Sequence, residues 1–324
     1  MTPAFKIIAD SADITALIAD RLISLEVTDE EGIKSDRLEL EIDNRDYRVA
    51  MPEHGAKLEV SLGFRGTGLS YIGGFIVDST GGSGPVLKLR IGAKAADMAG
   101  EIRAPKTRAW EGVTLKDIVA RIAGEAGLKP VVGDSIASIK FPFVAQTAES
   151  DLHLLTRLAL PLDATAKPAD GRLVVLKRGE GKSAAGDDLE PVVISPRQLV
   201  EWDFEVADRG QYKTIEAEWS ELKAGKTHVV TAGSGAPKKK LRRVFSSASE
   251  AQAAADAALT KAERGASTLD ASLSTFAPGL FAGSLIEPQG LGPDLTGQWH
   301  VKTVTHALDG SGLLTRFTAE KAAK

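Results

Sequence analysis

The chain has 324 residues, 43% of them hydrophobic, and a formal net charge of −4. This length predicts two or three domains, and the slightly acidic balance gives no general attraction to nucleic acids or anionic membranes. The absence of cysteine excludes disulfides, thiolate catalysis and cysteine-ligated metal centres. No signal peptide is evident, and no apolar run reaches the ~20 residues of a membrane span.

Short alternating segments dominate residues 1–108. Residues 38–42 and 58–62 alternate apolar and polar side chains, which is typical of strands with one buried face. Turn-forming residues separate these segments, among them Asp43-Asn44 and the glycine-rich run 81–85. We therefore predict a small antiparallel β-barrel or sandwich domain. Its predicted strands are 4–9, 22–29, 38–43, 58–64, 71–78 and 86–93.

The hydrophobic period changes in residues 109–188, where we predict a small α/β module. A helix is predicted over 114–126, with Thr114 as its N-cap, Asp117 three residues later and Gly127 as its stop signal. A strand follows at 171–176. The polar, glycine-rich run 179–188 is predicted to be a loop or linker.

A second helix is predicted within 146–161. Thr147 is its candidate N-cap, Glu149 and Asp151 place negative charge at the positive end of the helix dipole, and Pro161 ends it. Its leucines recur at helical spacing. Its polar start could be an active site, a binding determinant or a structural joint.

Residues 189–324 predict a second β-domain with one inserted helix. The helix covers 247–265 and begins at a capping-box sequence, Ser247 to Glu250. No fixed-period repeat is evident, but two β-rich regions of similar size around the module indicate a pseudo-duplication. The predicted strands are 199–206, 212–221, 227–231, 241–245, 268–276, 284–287, 299–308 and 314–319.

Few acidic or histidine side chains have the spacing of a catalytic or metal-binding site. Glu149 and Asp151 could form a carboxylate pair, but their position in one helix turn favours dipole compensation over catalysis. His300 and His306 lie six residues apart on one predicted strand, so we expect them on the same face. Because no third ligand is nearby, we expect no metal site and no cofactor.

The strongest charge run is Lys-Lys-Lys-Leu-Arg-Arg at 238–243. It could contact phosphates, but no interleaved aromatic residues indicate base stacking. We favour an exposed hairpin end. A protein partner with an acidic face would also suit this run.

Several segments together resemble the late control protein D family, the baseplate hub of contractile phage tails and related tailocins. No single motif is diagnostic, and the resemblance rests on the order and spacing of segments across residues 36–315. These are 36–44, 52–64, 73–78, 95–98 leading to Trp110 and 114–119, 146–159, 241–251, and 297–315. The residues that we single out as family markers are Trp110, Gln146, Glu149, Ser150, Asp151, Trp299 and His306.

The resemblance implies a structural protein rather than an enzyme. Such hubs are similar to the hub half of type VI secretion spike proteins and carry two barrel domains related to the tail-tube protein. Three subunits present six barrels to a hexameric tube and hold a trimeric central spike at the other end. The implied location is the tail baseplate of the virion, assembled in the host bacterial cytoplasm. Implied partners are spike, tube, tape measure and other baseplate proteins, with no specific nucleic acid and no membrane.

Two expectations about assembly follow as hypotheses. A ring closed by contacts between unlike surfaces needs strand edges that pair across subunits, and the strands before Gly63 and after Trp299 are our candidates. We expect the segment Gln-x-x-Glu-Ser-Asp at 146–151 to form a buried polar cap that fixes the docking of the module.

Two other functions remain open from the sequence. One is a peptidoglycan-binding or cell-wall-degrading tail protein that uses the module around Trp110 and Glu149. The other is a nucleic-acid-contacting protein that uses residues 238–243. The absence of a spaced carboxylate pair counts against the first, and net acidity counts against the second.

Overall fold

The computed structural model describes residues 1–31, 36–85, 87–95, 101–169, 171–181, 189–206, 212–221, 225–264 and 267–322. Four predicted features lie outside these residues. They are the strand start at Val86, the family segment at 96–98, most of the loop 179–188 and the helix end at Gly265.

The first 95 residues are mainly antiparallel strands, as predicted. Alternation places Leu38, Leu40 and Ile42 in one core with their counterparts on neighbouring strands. The elements are β1 (Pro3–Ala9), β2 (Ala12–Asp13), α1 (Thr15–Ile18), β3 (Leu22–Glu30), β4 (Arg37–Asp43), β5 (Lys57–Phe64), β6 (Gly68–Ser83) and β7 (Lys88–Ala95).

The middle module contains a long two-stranded ribbon, a three-stranded sheet and two amphipathic helices around one core. Helix α2 is confirmed, and Thr114 and Asp117 form the complete capping box. The elements are β8 (Pro105–Thr114), α2 (Leu115–Glu125), β9 (Lys129–Val132), α3 (Asp134–Ala137), β10 (Lys140–Ser150), α4 (Asp151–Ala159), β11 (Ala164–Ala169) and β12 (Arg172–Lys177). Strands β8 and β10 pair with each other and were not predicted.

The last part of the chain is again mainly strands, with the predicted alanine-rich helix confirmed. The elements are β13 (Val192–Ile194), β14 (Leu199–Val206), β15 (Thr214–Glu221), β16 (Lys226–Gly233), β17 (Lys238–Phe245), α5 (Ala248–Arg264), β18 (Ser267–Leu273), β19 (Leu285–Pro288), β20 (Trp299–Asp309) and β21 (Gly312–Lys321). Helix α5 packs its alanines on the small sheet β16-β15-β17 and shares a core with it.

The two β-rich regions join in one sheet of thirteen strands. Its main path is β14-β18-β21-β20-β3-β4-β7-β6-β5-β1-β2, and β19 and β13 branch from β20. The junction is the antiparallel pair β3–β20, in which Val27 faces His306. Among the described residues this path is open, so neither predicted barrel is found as a closed ring.

The strands expected to pair across subunits are interior strands of this sheet. The strand before Gly63 is β5, which lies between β1 and β6, and the strand after Trp299 is β20, which lies between β3 and β21. Their backbone groups are used within the chain, so that expectation is wrong. The outermost strands of the path are β14 at one end and β2, beside β1, at the other.

Candidate functional site

The segment 146–151 lies at the end of the β8–β10 ribbon. Gln146 pairs with Arg108 and Glu149 pairs with Lys106, so Thr147 and Ala148 together face a single residue of β8. This is a β-bulge, and Ala148 takes a left-handed φ of 46° within it. The Ala148 N–H donates to the Thr107 hydroxyl over 3.0 Å, which holds the bulge against β8.

The bulge turns the chain so that Asp151 enters the module at the start of α4. Its side chain is 1% exposed and accepts three hydrogen bonds. Lys106 Nζ donates to Oδ2 over 2.7 Å, and Arg108 and Gln146 donate to Oδ1 over 2.5 and 2.8 Å. The hydrogen bond that Lys106 donates to Asp151 raises the pKa of Lys106. A buried carboxylate is therefore paired with two cations and an amide.

Glu125, the last residue of α2, also accepts hydrogen bonds from Lys106 and Arg108. Lys106 donates to it over 3.0 Å, Arg108 reaches both of its oxygens at 2.8 Å, and Arg121 donates over 3.1 Å. Burial opposes its ionisation, but the hydrogen bonds from Arg108, Lys106 and Arg121 prevail and lower the pKa of Glu125 to about 2. The network thus ties the ribbon to the end of α2 and the start of α4.

Trp110 closes the buried side of the network. It is 3% exposed, and its indole N–H donates to Gln146 Oε1 over 3.2 Å. The Arg108 guanidinium carbon lies 4.4 Å from its ring centroid, and that of Arg121 lies 5.3 Å away. A sugar stacks on the open face of an aromatic ring, but the Trp110 ring is buried. This burial argues against the hypothesis that Trp110 binds peptidoglycan.

Helix α4 begins later than predicted. Residues 146–150 belong to β10, and the N-cap is Ser150, whose hydroxyl accepts from the His153 N–H over 3.2 Å. Thr147, the predicted cap, lies in the bulge. The predicted end is confirmed, since α4 stops at Ala159 and a 3-10 turn containing Pro161 follows. Asp151 does lie in the first turn, where the helix dipole favours it.

Glu149 forms a separate ion pair on the same segment. Arg157 donates to both of its oxygens, over 3.0 and 2.7 Å, and also to the Ala145 carbonyl over 3.0 Å. The hydrogen bonds from Arg157 lower the pKa of Glu149, which keeps it ionised. A general acid needs the opposite shift. Glu149 and Asp151 therefore form separate structural ion pairs. Glu149 is paired with Arg157, and Asp151 is paired with Lys106 and Arg108.

Trp299 and His306 lie on β20, within the core of the large sheet. Trp299 is fully buried and donates from its indole to the Leu295 carbonyl over 3.1 Å. His306 shares a 2.9 Å hydrogen bond with Thr315 and meets the Phe276 ring edge to face at 5.1 Å. Burial lowers the pKa of His306 to about 4.

The expectation that His300 and His306 share a face is wrong. A bulge between Val301 and Thr303 adds one residue to β20, which reverses the alternation between the two histidines. His300 instead approaches Glu31 at 2.8 Å. Among the residues that the structure describes, no cluster of three or more histidine and acidic side chains is arranged to hold a metal ion.

The basic run 238–243 lies on strand β17 rather than at a hairpin end. Lys238 and Lys240 pair with Glu216 and Glu218 of β15, at 3.5 and 2.6 Å, and Arg243 pairs with Glu250 at 3.1 Å. The run is therefore part of a sheet and partly neutralised.

Among the described residues, no helix is long and apolar enough to cross a membrane.

A second ionic cluster, which the sequence did not reveal, joins the module to the large sheet. Lys167 of β11 donates to Asp29 over 3.1 Å and to Asp36 over 2.7 Å, beside a cavity of 270 Å³. Asp29 also accepts from the Ala282 N–H over 2.8 Å. Burial and the neighbouring Asp29 carboxylate raise the pKa of Asp36 to about 7, against the effect of Lys167. This cluster, rather than segment 146–151, lies at the contact between module and sheet.

Sequence reasoning found Gln146, Asp151 and Trp110 but missed the two cations that they hold. The signal was present as Lys106-Thr-Arg108-Ala-Trp110, in which every second residue is basic or aromatic. Such alternation indicates a strand that turns one face inward. The network lies inside the module, so it braces the module's own elements. Within the network, the Asp151 carboxylate is buried and the Trp110 indole is covered.

Comparison with known proteins identifies the family of this chain. The family model described as "Phage tail baseplate hub (GPD)" matches residues 31–311. The probable baseplate hub protein of Escherichia phage P2 is 30% identical to this chain, over 99% of this chain and 93% of the phage protein.

Two solved structures share the fold. The 43 kDa tail protein of prophage MuSo2 from Shewanella oneidensis superposes with a TM-score of 0.71 at 14% identity, over 99% of this chain and 98% of that one. The E. coli c3393 protein, a type VI secretion component described as similar to T4 tail proteins gp27 and gp5, gives 0.55 at 15% identity over 94% and 74%. The chain therefore belongs to the family of phage tail baseplate hub proteins.

Proposed function

We propose that this baseplate hub protein is a trimeric adaptor that joins a hexameric tail tube to a trimeric central spike in a contractile tail or tailocin. The observation that carries the proposal is the large sheet, in which each chain contributes two β-rich regions of similar size. Three chains then present six such regions, which matches the six subunits of a tube ring. We propose that these regions are the barrel domains of residues 1–108 and 189–324, with residues 109–188 between them.

Symmetry gives this arrangement its physical logic. A threefold spike and a sixfold tube share only threefold symmetry, so an adaptor that presents two similar surfaces per subunit serves both. The c3393 protein, a type VI secretion component described as similar to gp27 and gp5, shares this fold, and the family resemblance implies a spike as one partner. Tube, tape measure and other baseplate proteins would contact the remaining faces, and assembly would take place in the bacterial cytoplasm.

The ionic contacts support a rigid structural role. Asp151 and Glu125 bind the same two cations, and Lys167 bridges the module to two acids of the large sheet. Removing one partner of a buried ion pair is far more costly than forming the pair is favourable, so such networks fix one arrangement of the parts. A tail protein that transmits force needs its parts to keep one arrangement.

A peptidoglycan-binding or cell-wall-degrading protein is the second candidate. It would have to use Trp110 and Glu149, of which the first is buried and the second is held ionised by Arg157. Neither side chain offers the open aromatic face or raised pKa that this chemistry requires. We therefore place this function below the adaptor.

The test is to mix the purified chain with the spike protein of the same tail and to measure the mass of the complex. The adaptor predicts three copies of this chain per spike trimer. In parallel, the chain is incubated with purified peptidoglycan sacculi. Retention on sacculi or release of soluble fragments, without spike binding, would contradict the adaptor and support the second candidate.

A further inference from the structure

Strand β14 is an outermost strand of the large sheet with an apolar face and an acidic face. Val200, Trp202 and Val206 project on alternate positions and are 63, 40 and 58% exposed, and Trp202 stacks on Phe204 with ring centroids 5.8 Å apart. On its other side β14 pairs with β18. An edge strand that exposes apolar side chains can accept another strand.

The intervening positions of β14 are all acidic: Glu201, Asp203 and Glu205. Glu201 accepts a hydrogen bond from the Ser272 hydroxyl over 3.3 Å. Within the described part of the chain, none of the three carboxylates has a cationic partner. A strand that pairs with this edge would therefore gain most by carrying positive charge.

Strand β17 of the small sheet has the complementary character. Among the described strands it is also an edge strand, since it pairs only with β15 in the order β16-β15-β17, and it has eight residues, as β14 does. Lys239 and Arg242 have no carboxylate partner among the described residues, and Lys239 lies 5.1 Å from the Tyr212 ring. Val244 is 51% exposed near its end and adds an apolar contact.

We propose that the acidic edge strand β14 of one copy pairs with the basic edge strand β17 of a second copy. The contact joins unlike surfaces, so it repeats around a ring and closes when the rotation permits. Strand pairing would satisfy backbone groups on both edges and place Val200, Trp202 and Val206 beside cross-strand side chains of β17. The charges would select the partner, because β14 repels a second β14 and β17 repels a second β17.

Lysines on edge strands also protect proteins from indiscriminate pairing. That role explains the charge on β17, but it does not explain why β14 exposes Trp202 beside three acids that have no cationic partner among the described residues. Specific pairing between β14 and β17 explains both the exposed acidic and apolar side chains of β14 and the basic side chains of β17. This inference takes the number of copies, three, from the proposed function, and the experiment separates the two claims.

The experiment compares variants of the full chain by sedimentation velocity over a range of concentrations. One variant carries Asp203→Lys and Glu205→Lys, a second carries Lys239→Glu and Arg242→Glu, and a third carries all four changes. Each two-residue variant should associate at least tenfold more weakly than the parent chain. The four-residue variant should regain association, because its charges are exchanged rather than lost. Circular dichroism checks the fold of each.

The matched control is Glu59→Lys with Glu111→Lys, which makes the same change in net charge as the Asp203→Lys and Glu205→Lys variant, at two exposed positions outside β14 and β17. It should associate as the parent does. A parent chain that stays monomeric at every concentration, two-residue variants that associate normally, or a four-residue variant that does not recover would each overturn the inference. If these variants still bind the spike as three copies, the edge pairing fails while the trimeric adaptor stands.

Discussion

Replacing Asp151 with Asn should loosen the module without unfolding the large sheet. The carboxylate is 1% exposed and accepts from Lys106, Arg108 and Gln146. Removing one member of a buried ion pair typically costs ~3–5 kcal/mol. Here Glu125 keeps both cations paired, and the Lys106 side chain is 27% exposed, so the lower end of about 3 kcal/mol applies.

Hydrogen exchange measured by mass spectrometry suits this prediction, because it reports each part of the chain separately. A loss of about 3 kcal/mol corresponds to roughly a hundredfold faster exchange through local opening. The acceleration should appear in peptides that cover β8, β10 and α4. Peptides from β3, β4 and β7 should exchange as in the parent chain.

The matched control is Asp20→Asn, whose side chain is 80% exposed and 4.0 Å from Arg21. It makes the same chemical change where solvent screens the charge, so its effect should stay within about 0.5 kcal/mol. The reasoning is refuted if Asp151→Asn accelerates exchange in β8, β10 and α4 by less than about threefold. It is also refuted if the two variants behave alike.

Hydrogen exchange also tests the cap of α4, and urea unfolding tests the Asp36 carboxyl. Because Ser150 is the N-cap, Ser150→Ala should destabilise the start of α4 by about 1 kcal/mol. Thr147→Ala should change the stability of the same segment by less than about 0.5 kcal/mol. Equal effects of the two variants would contradict Ser150 as the N-cap. Asp36→Asn should raise the urea midpoint at pH 8 and raise it much less at pH 5. The native pKa of about 7 exceeds the usual 3.8, so stability from this carboxyl falls as pH rises from about 4 to about 7. The gain is at most ~4 kcal/mol, and an equal midpoint shift at both pH values would contradict the assignment.

Local signals in the sequence predicted much of the secondary structure. Helix α2 lies within one residue of its predicted bounds because Thr114, Asp117 and Gly127 are all close to it in the chain. The strands with clean alternation, such as β4 and β5, were predicted for the same reason. The family resemblance, which rests on the order of such segments, is confirmed over residues 31–311.

Non-local contacts account for what the sequence did not predict. Thr147 and Glu149 have residue types typical of a helix start, but pairing of Gln146 with Arg108 draws them into β10. Local preference is weaker than this tertiary contact. The choice of β5 and β20 as free edges failed similarly, because a strand's pattern reveals which face is buried and not which strands lie beside it.

The most direct test of the adaptor is a reconstruction of the tip of the intact tail by electron cryo-microscopy without imposed symmetry. Three copies of this chain should form a ring between the last hexameric tube ring and a trimeric spike. The two β-rich regions of each copy should occupy six similar positions beneath the tube. Six copies in that ring, or a chain located away from the tube–spike junction, would contradict the account.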